Sequence, residues 1–309
     1  MRKRKRQKLE EEMAYQEMSA VRENFFEQFL PIELLTMMGI EGGFKKSIEP
    51  LTEQKELQAV ILNANIVGFK ELIHNTEIKE VYRLINQTLS YSIPAIYGNN
   101  GMIDSFKDAG VVALFTGQVE DGLDAAILIC EKIIQSGERE TCQNFTVGLC
   151  YGTVMAGVVG YGRKLSVLTL STYTGMGKFL QKVALKYYAR ILAAECYVKK
   201  IEDFEKNYNY RLLGVFYIRD IDRVEKVFDI FDGDRTDVRN RKRKTKMLFE
   251  KGVSLFMERE FAQARGYFIE VLKADRNDKA AREYVFLCDK YGSMPEEKMS
   301  EADVFIECL

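Results

Sequence analysis

The chain of 309 residues has no tryptophan, one histidine, four prolines and almost no net charge, and each scarcity removes a class of function. With 45 basic against 46 acidic side chains the net charge is −1, so no global field draws it to nucleic acid. His74 has no cysteine or carboxylate cluster around it in sequence, which assigns it to structure rather than catalysis. The six cysteines, Cys130, Cys142, Cys150, Cys196, Cys288 and Cys308, form no C-x-x-C pair, and several sit inside apolar runs. They read as reduced packing residues of a reducing compartment. No apolar run approaches the roughly 18–20 residues of a membrane span, no secretory signal follows Met1, and no P-loop occurs. The expected location is cytoplasmic, with a peripheral membrane contact left to the basic start.

A hydrophobic content of 47% suffices for one sizeable core plus an accessory element. Residues 58 to 64 are mostly apolar, as in a buried central strand. Residues 77 to 97 carry Ile78, Val81, Tyr82, Ile85 and Leu89 on one helical face, with the helix ending near Pro94. Strands follow at 101 to 106 and 110 to 116, a helix at 121 to 135, and strands at 144 to 151 and 153 to 159. The glycines of Gly148 to Gly160 read as a tight turn between those last two strands, packed beside a dimer partner. The order β-α-β-β-α-β predicts an α+β fold with a ferredoxin-like core. Further on come a strand near 164 to 170, a helix from about 172 to 187, and a hairpin from 212–216 to 227–230.

Three stretches carry a family resemblance. Val60 to Phe69 is similar to the opening strand of the class III adenylate and guanylate cyclase catalytic domain, where an apolar run ends in Phe-Ala-Asp-Ile-x-Gly-Phe. Gly101 to Phe115 resembles that family's central hairpin, with its Lys-x-x-Gly-Asp turn. Val147 to Gly160 matches Ile-Gly-(Ile/Leu)-x-x-Gly-x-(Val/Ile)-x-x-Gly-x-(Val/Ile)-Gly, glycines included. Arg190 to Glu195 is similar to the family's Ile-Leu-x-Ser-Glu. The resemblance covers roughly residues 25 to 232.

It implies a magnesium-dependent nucleotide cyclase whose site lies across a dimer interface, but the site positions are changed. The two metal aspartates fall on Asn65 and Ala109 and the base-reading lysine on Ser105. Its acidic partner falls on Leu168, the ribose-orienting asparagine on Gly175 and the phosphate-binding arginine on Phe179. A neutral amide and a methyl group are poor ligands for hard divalent cations. Asp108, one position before Ala109, is the fallback metal ligand if the turn slips by a residue.

Beyond the core, residues 1–50 form a basic N-terminal helix and lead-in. Arg2 to Lys8 open it, and Ala14, Met18, Val21 and Phe25 take coiled-coil spacing. Phe29 to Leu35 resembles the Phe-x-Pro lead-in of signalling cyclases. Residues 51–235 are the cyclase-homology domain, and 236–246 a basic, solvent-exposed linker. Residues 247–292 resemble a tetratricopeptide hairpin plus capping helix, through Leu248, Gly252, Leu255, Ala264 and Phe268, then Tyr284, Leu287 and Cys288. Residues 293–309 are an acidic tail. The expected function is a catalytically inactive, dimeric signalling or scaffolding module of bacterial type. It needs no cofactor or metal, contacts a homo- or heterodimer partner and other proteins, and touches anionic lipid at most weakly through Arg2 to Lys8. The alternatives are a weakly active or heteromeric cyclase using Mg with Asp104 or Asp108, and a nucleotide-binding regulatory pseudoenzyme.

Overall fold

The computed structural model describes residues 32–38, 54–107, 109–137, 144–161, 164–218 and 221–294. The basic start, the proposed coiled-coil seam, Asp108 and the acidic tail from 295 onward lie outside the described residues. The elements run α1 (Ile32–Met37), β1 (Gln54–Ile66), α2 (Phe69–Asn75), α3 (Ile78–Gly98), β2 (Met102–Lys107), β3 (Gly110–Phe115), α4 (Glu120–Ser136), β4 (Phe145–Tyr161) and β5 (Lys164–Leu170). They continue as α5 (Thr174–Tyr187), β6 (Ile191–Ala194), α6 (Glu195–Val198), α7 (Phe204–Asn207), β7 (Tyr210–Ile218), β8 (Arg223–Ile230), α8 (Thr236–Met257), α9 (Phe261–Ala274) and α10 (Lys279–Gly292). No helix among the described residues is long and apolar enough to cross a membrane.

The described residues fall into two compact units: those up to residue 55 together with those of 156–169, and those of 56–155 together with those from 170 to 294. In the first, the Lys55 ammonium donates to the Met37 carbonyl, and the distal part of β4 pairs with β5.

The second unit holds a sheet in the order β2-β3-β1-β4-β6-β8-β7. The first four strands give the β2-β3-β1-β4 arrangement of the ferredoxin-like core, so the α+β expectation is met. Alternation along β1 turns Val60, Leu62, Ala64 and Ile66 into an apolar cluster with Ile129, Cys130 and Ile133 of α4 and Ile96 of α3. Helix α3 runs through Pro94 to Gly98 rather than stopping at the proline. On the other face lies α5, whose Leu180 side chain would stand 2.9 Å from a Cβ at Gly148.

That close approach corrects the reading of the Gly148 to Gly160 stretch. There is no turn at Gly152; β4 is one strand of 17 residues. A Cβ at Gly152 would lie 2.3 Å from the ring of Tyr173, which enters α5, so the glycine admits an aromatic onto the strand.

A second correction concerns residues 236–246. They are the first half of α8 rather than a linker. Lys242, expected in solvent, is buried, with its ammonium 2.9 Å from Asp229 and 2.7 Å from Asp234. Arg211 on β7 pairs with Asp229 of β8 at 3.0 Å and with Asp278, the N-cap of α10. Arg190 approaches Asp234 at 3.5 Å, which brings three cations against three carboxylates. Around this cluster, the Arg211 guanidinium lies 4.1 Å from the Phe249 ring centroid, and Phe268 stacks on Tyr284 at 4.5 Å. The Tyr284 hydroxyl donates to the Leu213 carbonyl at 2.6 Å. Helix α8 thereby packs on β7 and α10 on α5.

Burial alone would push the Asp278 carboxyl up. The Arg211 guanidinium and the Ala281 N–H outweigh that and hold it below its ordinary 3.8. A depressed folded value means this contribution is present at neutral pH and is lost as pH falls below about 4 toward the folded value. Urea unfolding followed across pH 7 to 2 should show that decline, and Asp278→Asn should flatten part of it. Asp229→Ala, which leaves Arg211 with Asp278 alone and Lys242 with Asp234 alone and so three cations against two carboxylates in the cluster, should cost about 3 kcal/mol at pH 7 in the same measurement.

Candidate functional site

Asn65 occupies the penultimate position of β1, on the sheet face opposite the α3–α4 cluster, and is 8% exposed. Its Oδ1 is buried with no hydrogen-bond partner. The register that pairs Ala64 with Val111 sets Gly110 against it. A Cβ at Gly110 would come within 2.1 Å of the Ala64 carbonyl oxygen and 2.7 Å of the Asn65 Cα. Only glycine lets the β2–β3 hairpin close this tightly on the end of β1. The sequence-predicted neighbours Asn65 and Ala109 are therefore brought to one corner of the sheet.

They do not act together there. Ala109 is fully buried and its methyl joins the apolar cluster on the α4 side, with Val111 and Ala113. Ser105 follows a bulge in β2 at Asp104, where the register with β3 shifts between Ile103 and Ser105. Its hydroxyl donates to Asp104 Oδ2 at 2.7 Å. Phe179 on α5 is 6% exposed and meets the Phe216 ring edge-on at 5.8 Å. Gly175 lies one turn earlier on the same helix. Leu168, on β5 in the first unit, is exposed. His74 is exposed in the last turn of α2.

Sequence reasoning missed Asn63, which shares the face of Asn65. A Cβ at Gly177 would lie 2.4 Å from its Nδ2, so the Asn63 amide is where α5 presses on β1. A polar residue alternating with Leu62 and Ala64 in an apolar strand was the available signal.

A magnesium pair needs carboxylate oxygens in an open, solvated corner. The described residues at this corner supply a buried amide oxygen and a methyl group turned the other way. No group of three or more His, Cys, Asp or Glu among the described residues could hold a metal. These residues do not fit the ion pair of a cyclase. Of the cysteines, Cys130, Cys150 and Cys288 are buried free thiols and Cys196 is partly buried. Burial pushes the Cys130 thiol up to about 12 and Cys196 to about 11, so both stay protonated and inert at neutral pH.

No protein-family model matches the chain. It is 22% identical over 277 residues to the terminal-differentiation-specific adenylate cyclase of Dictyostelium discoideum, covering 86% of this chain and 13% of that protein. It is 23% identical over 186 residues to an adenylate cyclase of Anabaena cylindrica, covering 57% of this chain and 36% of that one. The chain thus spans well under half the length of either relative. A bacterial light-regulated adenylyl cyclase superposes with a TM-score of 0.60 at 17% identity, over 75% of this chain and 68% of that one. The relatives by sequence and the superposed structure are adenylyl cyclases, and the sheet unit shares the fold of the latter.

The backbone contact at the corner yields a direct test. Gly110→Ala should destabilise the protein by about 3 kcal/mol, because the new methyl meets backbone atoms of Ala64 and Asn65 and cannot be relieved by a rotamer change. Gly266→Ala, where a Cβ meets nothing within 4 Å, should be neutral or slightly stabilising in the same urea titration.

Proposed function

We propose that this chain is a cyclase-homology module without cyclase turnover, working as a dimer through protein–protein contacts. The observation that carries the reading is the Asn65 corner, where the β2–β3 hairpin closes on the end of β1 through Gly110 while Asn65 and Ala109 offer no carboxylate. Cyclisation requires the ribose 3′-hydroxyl to attack the α-phosphate, with divalent cations screening the triphosphate and acidifying that hydroxyl. Losing one preorganised charge-stabilising group commonly costs about 10²–10³ in rate. Here both metal positions are changed, and the position matching the family's arginine is Phe179, committed to packing on Phe216.

A competent partner would not rescue the chain, because the residues matching both halves of the shared site are altered. What remains is surface. Met247 on α8 and Phe286 on α10 are 83% and 63% exposed, apolar groups on helices that resemble a tetratricopeptide hairpin. They are the side chains proposed to meet a protein partner.

Purified protein incubated with manganese and ATP or GTP should form no cyclic nucleotide above an enzyme-free blank, and sedimentation should report two chains per particle. Cyclic nucleotide production that Asp108→Ala abolishes would overturn the inactive reading. A single-chain particle at every concentration would overturn the dimeric part.

A further inference from the structure

Beside the buried charge cluster lies a cleft of about 490 Å³, bounded by the starts of β4 and β6, the end of α5, and the α8 and α10 helices. Setting aside Arg241, whose Nε faces Asp275 at 3.2 Å, Thr146 and Arg190 are unspent in its lining. Thr146, 5% exposed, buries its Oγ1 with no hydrogen-bond partner. Arg190 turns its Nε to Asp234 at 3.5 Å but leaves Nη1 buried and unpartnered. The two sit side by side. Strands β4 and β6 run parallel with Val147 opposite Ile191, and the Val147 N–H donates to the Arg190 carbonyl at 2.7 Å, so Thr146 and Arg190 occupy adjacent register positions.

Leaving a buried hydroxyl unsatisfied is costly, and a guanidinium N–H more so. The Arg190 Nη1 can only donate and the Thr146 hydroxyl can donate beside it, so one acceptor would satisfy both. The rim adds positive charge: Lys279, at the start of α10, holds its ammonium 3.6 Å from the exposed Tyr188 ring centroid, and Arg235 reaches in from the start of α8. A guanidinium, a hydroxyl and two mobile cations around one opening suit an oxyanion with three free oxygens better than a planar carboxylate with two. The volume lies in the range of small-ligand sites and admits an organic group behind the anion, with Tyr188 as a flat wall.

We propose that this cleft binds a phosphate-bearing small molecule, its phosphate taken by Thr146 Oγ1 and Arg190 Nη1 and its charge by Lys279 and Arg235. Because both anchor atoms are closed off from solvent, binding includes a swing of the Arg190 side chain. The assignment is independent of whether the Asn65 corner is silent.

Calorimetric titration of the full chain with inorganic phosphate, ribose 5-phosphate, adenosine 5′-monophosphate and succinate tests it. The organic phosphates should bind more tightly than inorganic phosphate, and succinate should bind most weakly. Thr146→Val, which keeps the branched shape, should weaken the organic phosphates by about tenfold, and Arg190→Gln by more. Asn65→Ala should leave them unchanged, which separates this cleft from the cyclase corner. Ligand-free Thr146→Val should melt no lower than the parent, since an unsatisfied hydroxyl is replaced by a methyl. Absence of binding by both organic phosphates at millimolar concentration, unchanged affinity in Thr146→Val and Arg190→Gln, or a preference for succinate would each overturn the proposal.

Discussion

Six charged side chains gathered at one point, five of them buried and Arg190 at their edge, decide how this molecule is put together. Isolated, each would cost several kcal/mol to bury. Together, Arg211, Lys242 and Arg190 meet Asp229, Asp234 and Asp278 within 3.5 Å, so each charge finds an opposite one. The six come from β7, β8, the residue before β6, the turn after β8, and the α8 and α10 helices. Such clusters add little stability over an apolar core of the same volume, but they discriminate. A one-turn shift of α8 along β7 would leave Lys242 without Asp229 and Asp229 short of a cation. The aromatic packing of Phe249, Phe268 and Tyr284 tolerates more than one seating; the charges tolerate one. For that reason the C-terminal helices are continuous with the sheet unit rather than a separate domain on a tether.

The same cluster explains what could be read in the amino-acid sequence and what could not. The core strands and helices were legible because their signal is local: residues 58 to 64 form a mostly apolar run, and Val81, Ile85 and Leu89 recur at helical spacing, whatever the rest of the chain does. Lys242 was not legible. Its run of basic neighbours looks like a solvated linker, and its burial depends on Asp229 and Asp234, carboxylates contributed by β8 and the turn that follows. Gly152 failed for a related reason. A missing Cβ serves either a left-handed backbone or a close neighbour, and the neighbour, the Tyr173 ring, lies on a later element. Asn65 and Ala109 were found through the motifs around them, which fix spacing. That the Ala109 methyl belongs to the α4-side core was hidden, because spacing says nothing about which face a residue beside a turn adopts.

Geometry and chemistry are separable at the Asn65 corner, and this bears on the function proposed. The closeness of the hairpin to β1 rests on Gly110 meeting backbone atoms of Ala64 and Asn65, a contact that involves no metal ligand. The corner can therefore persist when its ligands change. The reverse does not hold. A carboxylate at 65, where the side chain is 8% exposed, and another at a fully buried 109 would each be held without solvent and without a cation. Without a bound ion, an amide at 65 and a methyl at 109 are the more stable occupants of these buried positions, so the inactivity proposed and the packing of this corner call for the same two residues.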